Sequence, residues 1–142
     1  LVPIDFSEDS AAALDLAVEF ARRFDAHLVL LHCYQKTISE LAAYDLDASD
    51  DFFHALKAAA GKKLDAVRDR LRGEDLTISA EVRASVPSEG ICDTANELHA
   101  DLIVMGTRGI SGLKHVLVGS VAERTVRNAP CPVVTAKGSY SR

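Results

Sequence analysis

Short, continuous apolar runs that alternate with helical stripes constrain this chain more than any other feature. Leu28-Val29-Leu30-Leu31 and Leu102-Ile103-Val104-Met105 are unbroken and rich in branched residues, the mark of strands covered on both faces. Between such runs the apolar residues recur every three or four positions. Leu14, Ala17, Val18 and Ala21 form one stripe, introduced by Ser7, Glu8 and Asp9, an acidic start that suits the positive end of a helix. Phe53, Leu56, Ala60, Leu64, Val67 and Leu71 form a second, stopping at Gly73. Ile91, Ala95 and Leu98 form a third, with Pro87 in its first turn. Leu76, Ile78, Ala80, Val82 and Ala84 alternate strictly with polar neighbours, which predicts an edge strand with one exposed face. Val133–Ala136 follows Pro130 and Pro132 and is peripheral for the same reason that prolines avoid central strands.

The order is therefore β-α-β-α-β-α-β-α-β. Joining parallel neighbours requires crossover helices, so the expected fold is a single α/β Rossmann-like domain over residues 1–142. Its five-stranded parallel sheet carries helices on both faces. A composition 48% hydrophobic over 142 residues supports one sizeable core. The chain opens on Leu1-Val2-Pro3-Ile4-Asp5, a strand already under way, and is expected to lack a few N-terminal residues or a preceding segment. No apolar run reaches the roughly 18 residues of a membrane span, and the net charge of −5 disfavours nucleic acid and anionic membrane as partners. Cys33, Cys92 and Cys131 are odd in number and lack metal spacing, which points to free thiols in a reducing, cytoplasmic setting.

Ligands of such folds sit beyond the carboxyl ends of the strands. The segment after Met105 stands out there: Gly106-Thr107-Arg108-Gly109, nine residues, then Gly119-Ser120, where Val121, Ala122 and Val126 start a new stripe. No acid lies between Asp101 and Glu123, whereas Arg108, Lys114 and His115 do. Glycines let backbone amides approach an anion, a helix start adds its unpaired N–H groups, and Arg108 and Lys114 offer charge-assisted bonds to phosphate. The bland alternative is equally concrete. Ser120-Val121-Ala122-Glu123 fits a capping box, with the glycines as plain turn residues. Neither GxxxxGK[ST] nor GxGxxG is present.

The spacing G-x2-G-x9-G-[ST], the opening Val2–Ser10, Leu31-His32-Cys33, Ala100–Gly109 and Ala129-Pro130-Cys131-Pro132-Val133 resemble, together and in order, the ATP-binding branch of the universal stress protein family. The resemblance covers the whole chain and implies an ATP site, with or without Mg. Pro3, Ile4 and Asp5 would lie at the adenosine end and Cys33 against adenine. Met105, Gly106, Arg108 and Gly109, then Gly119, Ser120 and Val121, would surround ribose and phosphates. It implies a homodimer through the last strand and a role in stress response. A carboxylate only accepts hydrogen bonds, so Asp5 suits a ribose hydroxyl and is expected to stand away from the phosphate loop. Ser85-Val86-Pro87 replaces the family's usual Gly-x-Pro turn, which puts the backbone after the third strand in question.

Other motifs yield less. His32 reads as a core or rim histidine and His115 as a loop one. Asp45-x-Asp47-x-Ser49-Asp50-Asp51 lacks the Gly and Glu of a calcium loop. A phosphoacceptor receiver domain would need paired acids after the first strand and an Asp after the third, and Arg83-Ala84-Ser85 supplies none. Phosphoryl transfer needs a base and metal-binding acids, and Asp5 is the one acid placed at the cleft. The reading is a nucleotide-binding sensor with no catalytic residues. The alternatives are slow ATP hydrolysis or self-phosphorylation on Ser120, Thr107 or Ser111, and a dimerisation module without nucleotide.

Overall fold

A computed structural model describes residues 1–35, 50–71, 73, 75–109 and 118–138. The elements are β1 (Val2–Pro3), α1 (Glu8–Phe24), β2 (Leu28–Tyr34), α2 (Asp50–Arg70), β3 (Ile78–Ala84), α3 (Pro87–Glu97), β4 (Ile103–Gly106), α4 (Ser120–Asn128) and β5 (Val133–Ala136). All strand pairs are parallel. Neighbouring residues on one strand point to opposite faces, and the core divides accordingly. Leu30 and Val104 join Ala13, Leu14, Ala17, Val18 and Ala21 of α1 and Leu64 and Val67 of α2 on one side. Leu31, Ile103 and Met105 join Ile91 and Ala95 of α3 and Ala122 of α4 on the other.

The single five-stranded sheet expected from the alternation is not what forms. The strands divide into a three-stranded sheet, ordered β1-β2-β3, and a two-stranded one, β4-β5. The reason lies in β1. Ile4 N–H donates to Leu31 O of β2 at 2.8 Å, so the odd residues of this segment face β4. Leu1 does bond there: its nitrogen donates to Leu102 O at 2.8 Å and its carbonyl accepts Val104 N–H at 2.9 Å. The next donor on that side is Pro3, which has no N–H to give, and the ladder stops. β3 and β5 lie at sheet edges, as their alternation and flanking prolines imply.

Helix starts follow the sequence closely. Ser7 caps α1, its hydroxyl accepting the Ser10 N–H at 3.1 Å. Pro87 opens α3, and Gly73, with φ 96°, follows the end of α2. Phe53, Leu56, Leu98 and Val126 are exceptions among the stripe positions. Phe53 and Leu56 are not core residues, because the 21-residue α2 spans about 31 Å and outreaches the seven-residue β3 at about 23 Å. Leu98 is 47% exposed because α3 ends at Glu97. Replacing Leu30, fully buried in the α1–α2 core, with Ala should lower stability by about 2–5 kcal/mol. Leu98→Ala should change it by less than about 0.5 kcal/mol. Urea unfolding of the two variants checks the pair.

Candidate functional site

β1 and β4 end side by side, and the chain opens a cleft of about 180 Å³ where they stop. The end of β1 contributes Pro3, Ile4 and Asp5, and β2 contributes Cys33. Met105 through Gly109 form one wall, and Gly119, Ser120 and Val121 at the start of α4 form another. All eleven residues singled out from the sequence thus face one space. Leu31, Pro87 and Ile91 add an apolar wall, with Ser10, Thr107 and Ala122 completing the lining. Lys114, His115, Ser111 and the Asp45–Ser49 part of the calcium-like series lie outside the described residues.

The glycines earn their place through close backbone contacts. A Cβ on Gly106 would fall 2.8 Å from the carbonyl carbon of Asp9 and 2.9 Å from Ser10 N, so β4 runs directly against the first turn of α1. A Cβ on Gly109 would fall 2.7 Å from Asp5 Oδ2. Gly119 N–H donates to Thr107 O at 2.7 Å and closes the two ends of the loop onto each other. The carboxylate of Asp5 therefore stands against Gly109, and the expected separation from the glycine loop is not found. Its Oδ1 accepts the Ser7 amide at 3.0 Å and the Ser7 hydroxyl.

The start of α4 also differs from the capping-box expectation. Gly119, not Ser120, is the N-cap, and no side chain caps the helix. The first intrahelical bond runs from Glu123 N to Gly119 O, so the amides of Ser120, Val121 and Ala122 have no helical acceptor. They point with the positive end of the helix toward the cleft, a ready anion site.

The segment that is free of acids along the chain is not free of them in space. Asp9, 5% exposed, lies behind it. Its Oδ2 accepts Thr107 Oγ1 at 2.7 Å, Arg108 N at 3.1 Å and Arg108 Nε at 3.2 Å. Its Oδ1 accepts Gly138 N at 2.9 Å and Arg108 Nη2 at 3.3 Å. The Arg108 guanidinium, read from the sequence as a phosphate donor, is thus held in a mostly buried ion pair. Sequence reasoning missed Asp9 as a partner of this loop. Burial pushes its carboxyl up, but the bonds from Thr107, Arg108 and Gly138 and the Arg108 charge outweigh burial and hold it below its ordinary value of 3.8.

At the other end the wall is apolar. Burial pushes the Cys33 thiol up, keeping it neutral. Ser85 does not adopt the left-handed backbone that would require glycine, which answers the question raised by the missing Gly-x-Pro. Its side chain instead fills the space beside Gly90, where a Cβ would meet Ser85 Oγ at 2.0 Å and Cys33 Sγ at 2.9 Å. His32 is structural: its Nδ1 donates to Ile4 O at 2.7 Å, and its ring lies 4.8 Å from that of Phe6.

Two outcomes follow from this geometry. Gly106→Ala forces β4 off α1 and should lower stability by about 1–3 kcal/mol, measured by thermal unfolding. Because the Asp9 carboxyl is lowered in the fold, its ionised form stabilises the native state fully above about pH 4. That contribution is lost as the pH falls through the lower native value. Urea unfolding between about pH 5 and about pH 2 should show a steeper acid loss in the wild type than in Asp9→Asn.

Comparison with known proteins places this geometry among relatives. The sequence model of the universal stress protein family matches residues 1–137. Universal stress protein MJ0531 of Methanocaldococcus jannaschii is 34% identical over 138 residues, 96% of this chain and 80% of that protein. The solved structure of the hypothetical protein MJ0577, described as a test case of structural genomics, is similar with a TM-score of 0.85. The identity is 26%, over 99% of this chain and 95% of that one. A universal stress protein from Archaeoglobus fulgidus, solved in complex with dAMP, shares the fold at 22% identity and a TM-score of 0.66, covering 95% of this chain and 94% of that one.

Proposed function

Because this chain belongs to the universal stress protein family, we propose that it is a member of the ATP-binding branch that takes ATP or a related adenine nucleotide as a sensor or regulator in stress response. The observation that carries this reading is one cleft with an apolar wall at one end and three helix-start amides without a helical acceptor at the other. That division suits an uncharged base and an anionic tail. In this reading Pro3, Ile4 and Cys33 hold the base, and Asp5 accepts from a ribose hydroxyl through Oδ2. Met105, Gly106, Arg108 and Gly109 shape the loop over the sugar and first phosphate with their backbone, and Gly119, Ser120 and Val121 receive the phosphates. The dAMP bound by the Archaeoglobus relative supports an adenine nucleotide over other anions.

The proposal assigns binding, not turnover. Any Mg would arrive on the nucleotide phosphates. Thr107, a candidate acceptor for self-phosphorylation, already donates its hydroxyl to Asp9. We further propose that residues 1–142 form one nucleotide-binding unit in the cytoplasm, where its three free cysteines stay reduced. No helix among the described residues is long and apolar enough to cross a membrane. Among the described residues β5 has a strand neighbour on one side only, which supports the homodimer through the last strand that the family resemblance implies.

Calorimetric titration tests the reading. ATP should bind the wild type in the micromolar-to-millimolar range and fail to bind Gly109→Val, whose Cβ would displace the Asp5 carboxylate. A wild type that binds no adenine nucleotide overturns the proposal. Phosphate release above the blank, lost in the same variant, would establish hydrolysis instead.

A further inference from the structure

We infer that Asp9 is a positioning residue of the nucleotide site, fixing the turn from Gly106 to Gly109 in the shape that the phosphate end of the ligand requires. The inference rests on the nucleotide reading above. Asp9 does not line the cleft, whereas Gly106, Thr107, Arg108 and Gly109 do. An acid in the first turn of a helix normally faces water and serves the helix dipole. This one is buried and spends both oxygens on other segments. Its charge is compensated inside the protein by Arg108, the condition under which a buried carboxylate persists.

The contact reaches the ligand side through the backbone. Asp9 holds the Thr107 hydroxyl and the Arg108 amide. Thr107 in turn accepts the Gly119 amide through its carbonyl, and Gly119 is the N-cap of α4. Asp9, Thr107, Gly119 and the open amides of Ser120, Val121 and Ala122 thus form one connected series. Pro3, Ile4 and Cys33, at the other end of the cleft, share no hydrogen bond with Asp9 among the described residues. Asparagine cannot replace the carboxylate, because its amide offers one acceptor oxygen and turns a donor toward donors.

Charge alone makes the opposite prediction to positioning. Removing a negative charge behind the loop should tighten the binding of a polyphosphate, whereas loss of the clamp should weaken it. Calorimetry with ATP and with adenosine, on the wild type, Asp9→Asn and Thr107→Val, separates the two. We expect ATP affinity to fall about tenfold in each variant, with adenosine affinity held within about twofold. Asp9→Asn combined with Thr107→Val should be no weaker than Asp9→Asn alone, since both act through one carboxylate. Hydrogen exchange of the Thr107, Arg108 and Gly109 amides in ligand-free protein should quicken in both single variants.

Unchanged or tighter ATP binding in Asp9→Asn overturns the inference. So does an equal loss for ATP and adenosine, which a general loss of stability would produce. If Asp9→Asn does not fold, Thr107→Val, which removes one hydroxyl, decides by the same criteria. A wild type that binds neither ligand defeats the nucleotide reading and with it the ligand role of Asp9. Exchange that stays unchanged in the variants removes the clamp itself.

Discussion

The architecture around the cleft depends on a backbone-to-backbone contact, the approach of Gly106 to the first turn of α1. At 2.8 Å from the Asp9 carbonyl carbon, the position where a Cβ would sit is already occupied. Only a residue without a side chain lets β4 run so close to the helix. That approach brings the Asp9 carboxylate within reach of Thr107 and Arg108, and it sets where the loop leaves the strand. Gly138 repeats the arrangement on the other side of Asp9, its missing Cβ leaving 3.0 Å to Oδ1. Glycine serves here first as a spacer between packed backbones, and the opening of the cleft follows from that packing.

The two carboxylates at this end of the molecule divide the electrostatic work. Asp9 is enclosed and neutralised by Arg108, so it adds little net field to the cleft. Asp5 faces the cleft and has one oxygen tied to Ser7. The other, beside Gly109, remains the acceptor on that side. Among the described residues the start of α4 adds a positive influence over the cleft through amides without a helical acceptor, which do not depend on any ionisable group.

Much of this was legible along the chain. Continuous runs marked β2 and β4, alternation marked β3, and the stripe Leu14, Ala17, Val18 and Ala21 marked the buried face of α1. Strand ends and glycine spacing are local signals and mark the segment from Gly106 to Ser120, while the family resemblance supplies Pro3, Ile4 and Cys33. Asp9 was not legible, since a window around it shows only an acid at a helix start. The residues that make it a buried acceptor lie 98 and 129 positions away. The same blindness made Arg108 look unopposed. Pro3 was visible, but its effect on the sheet depends on which neighbour each N–H of β1 faces, and that is a property of register. Ser120 looked like a cap because its hydroxyl and Glu123 have the right spacing. The chain instead enters α4 through Gly119, whose amide is committed to Thr107.

The bond from Gly138 N to Asp9 spans 129 positions. Closing so long a loop is entropically unfavourable and does not precede the local helices. During synthesis, α1 and the β1-β2-β3 sheet can therefore take shape while one oxygen of Asp9 still lacks its last donor. The contact behind the turn from Gly106 to Gly109 forms after the local structure on either side of it. Until residue 138 joins, the carboxylate behind that turn lacks its donor from beyond the last strand.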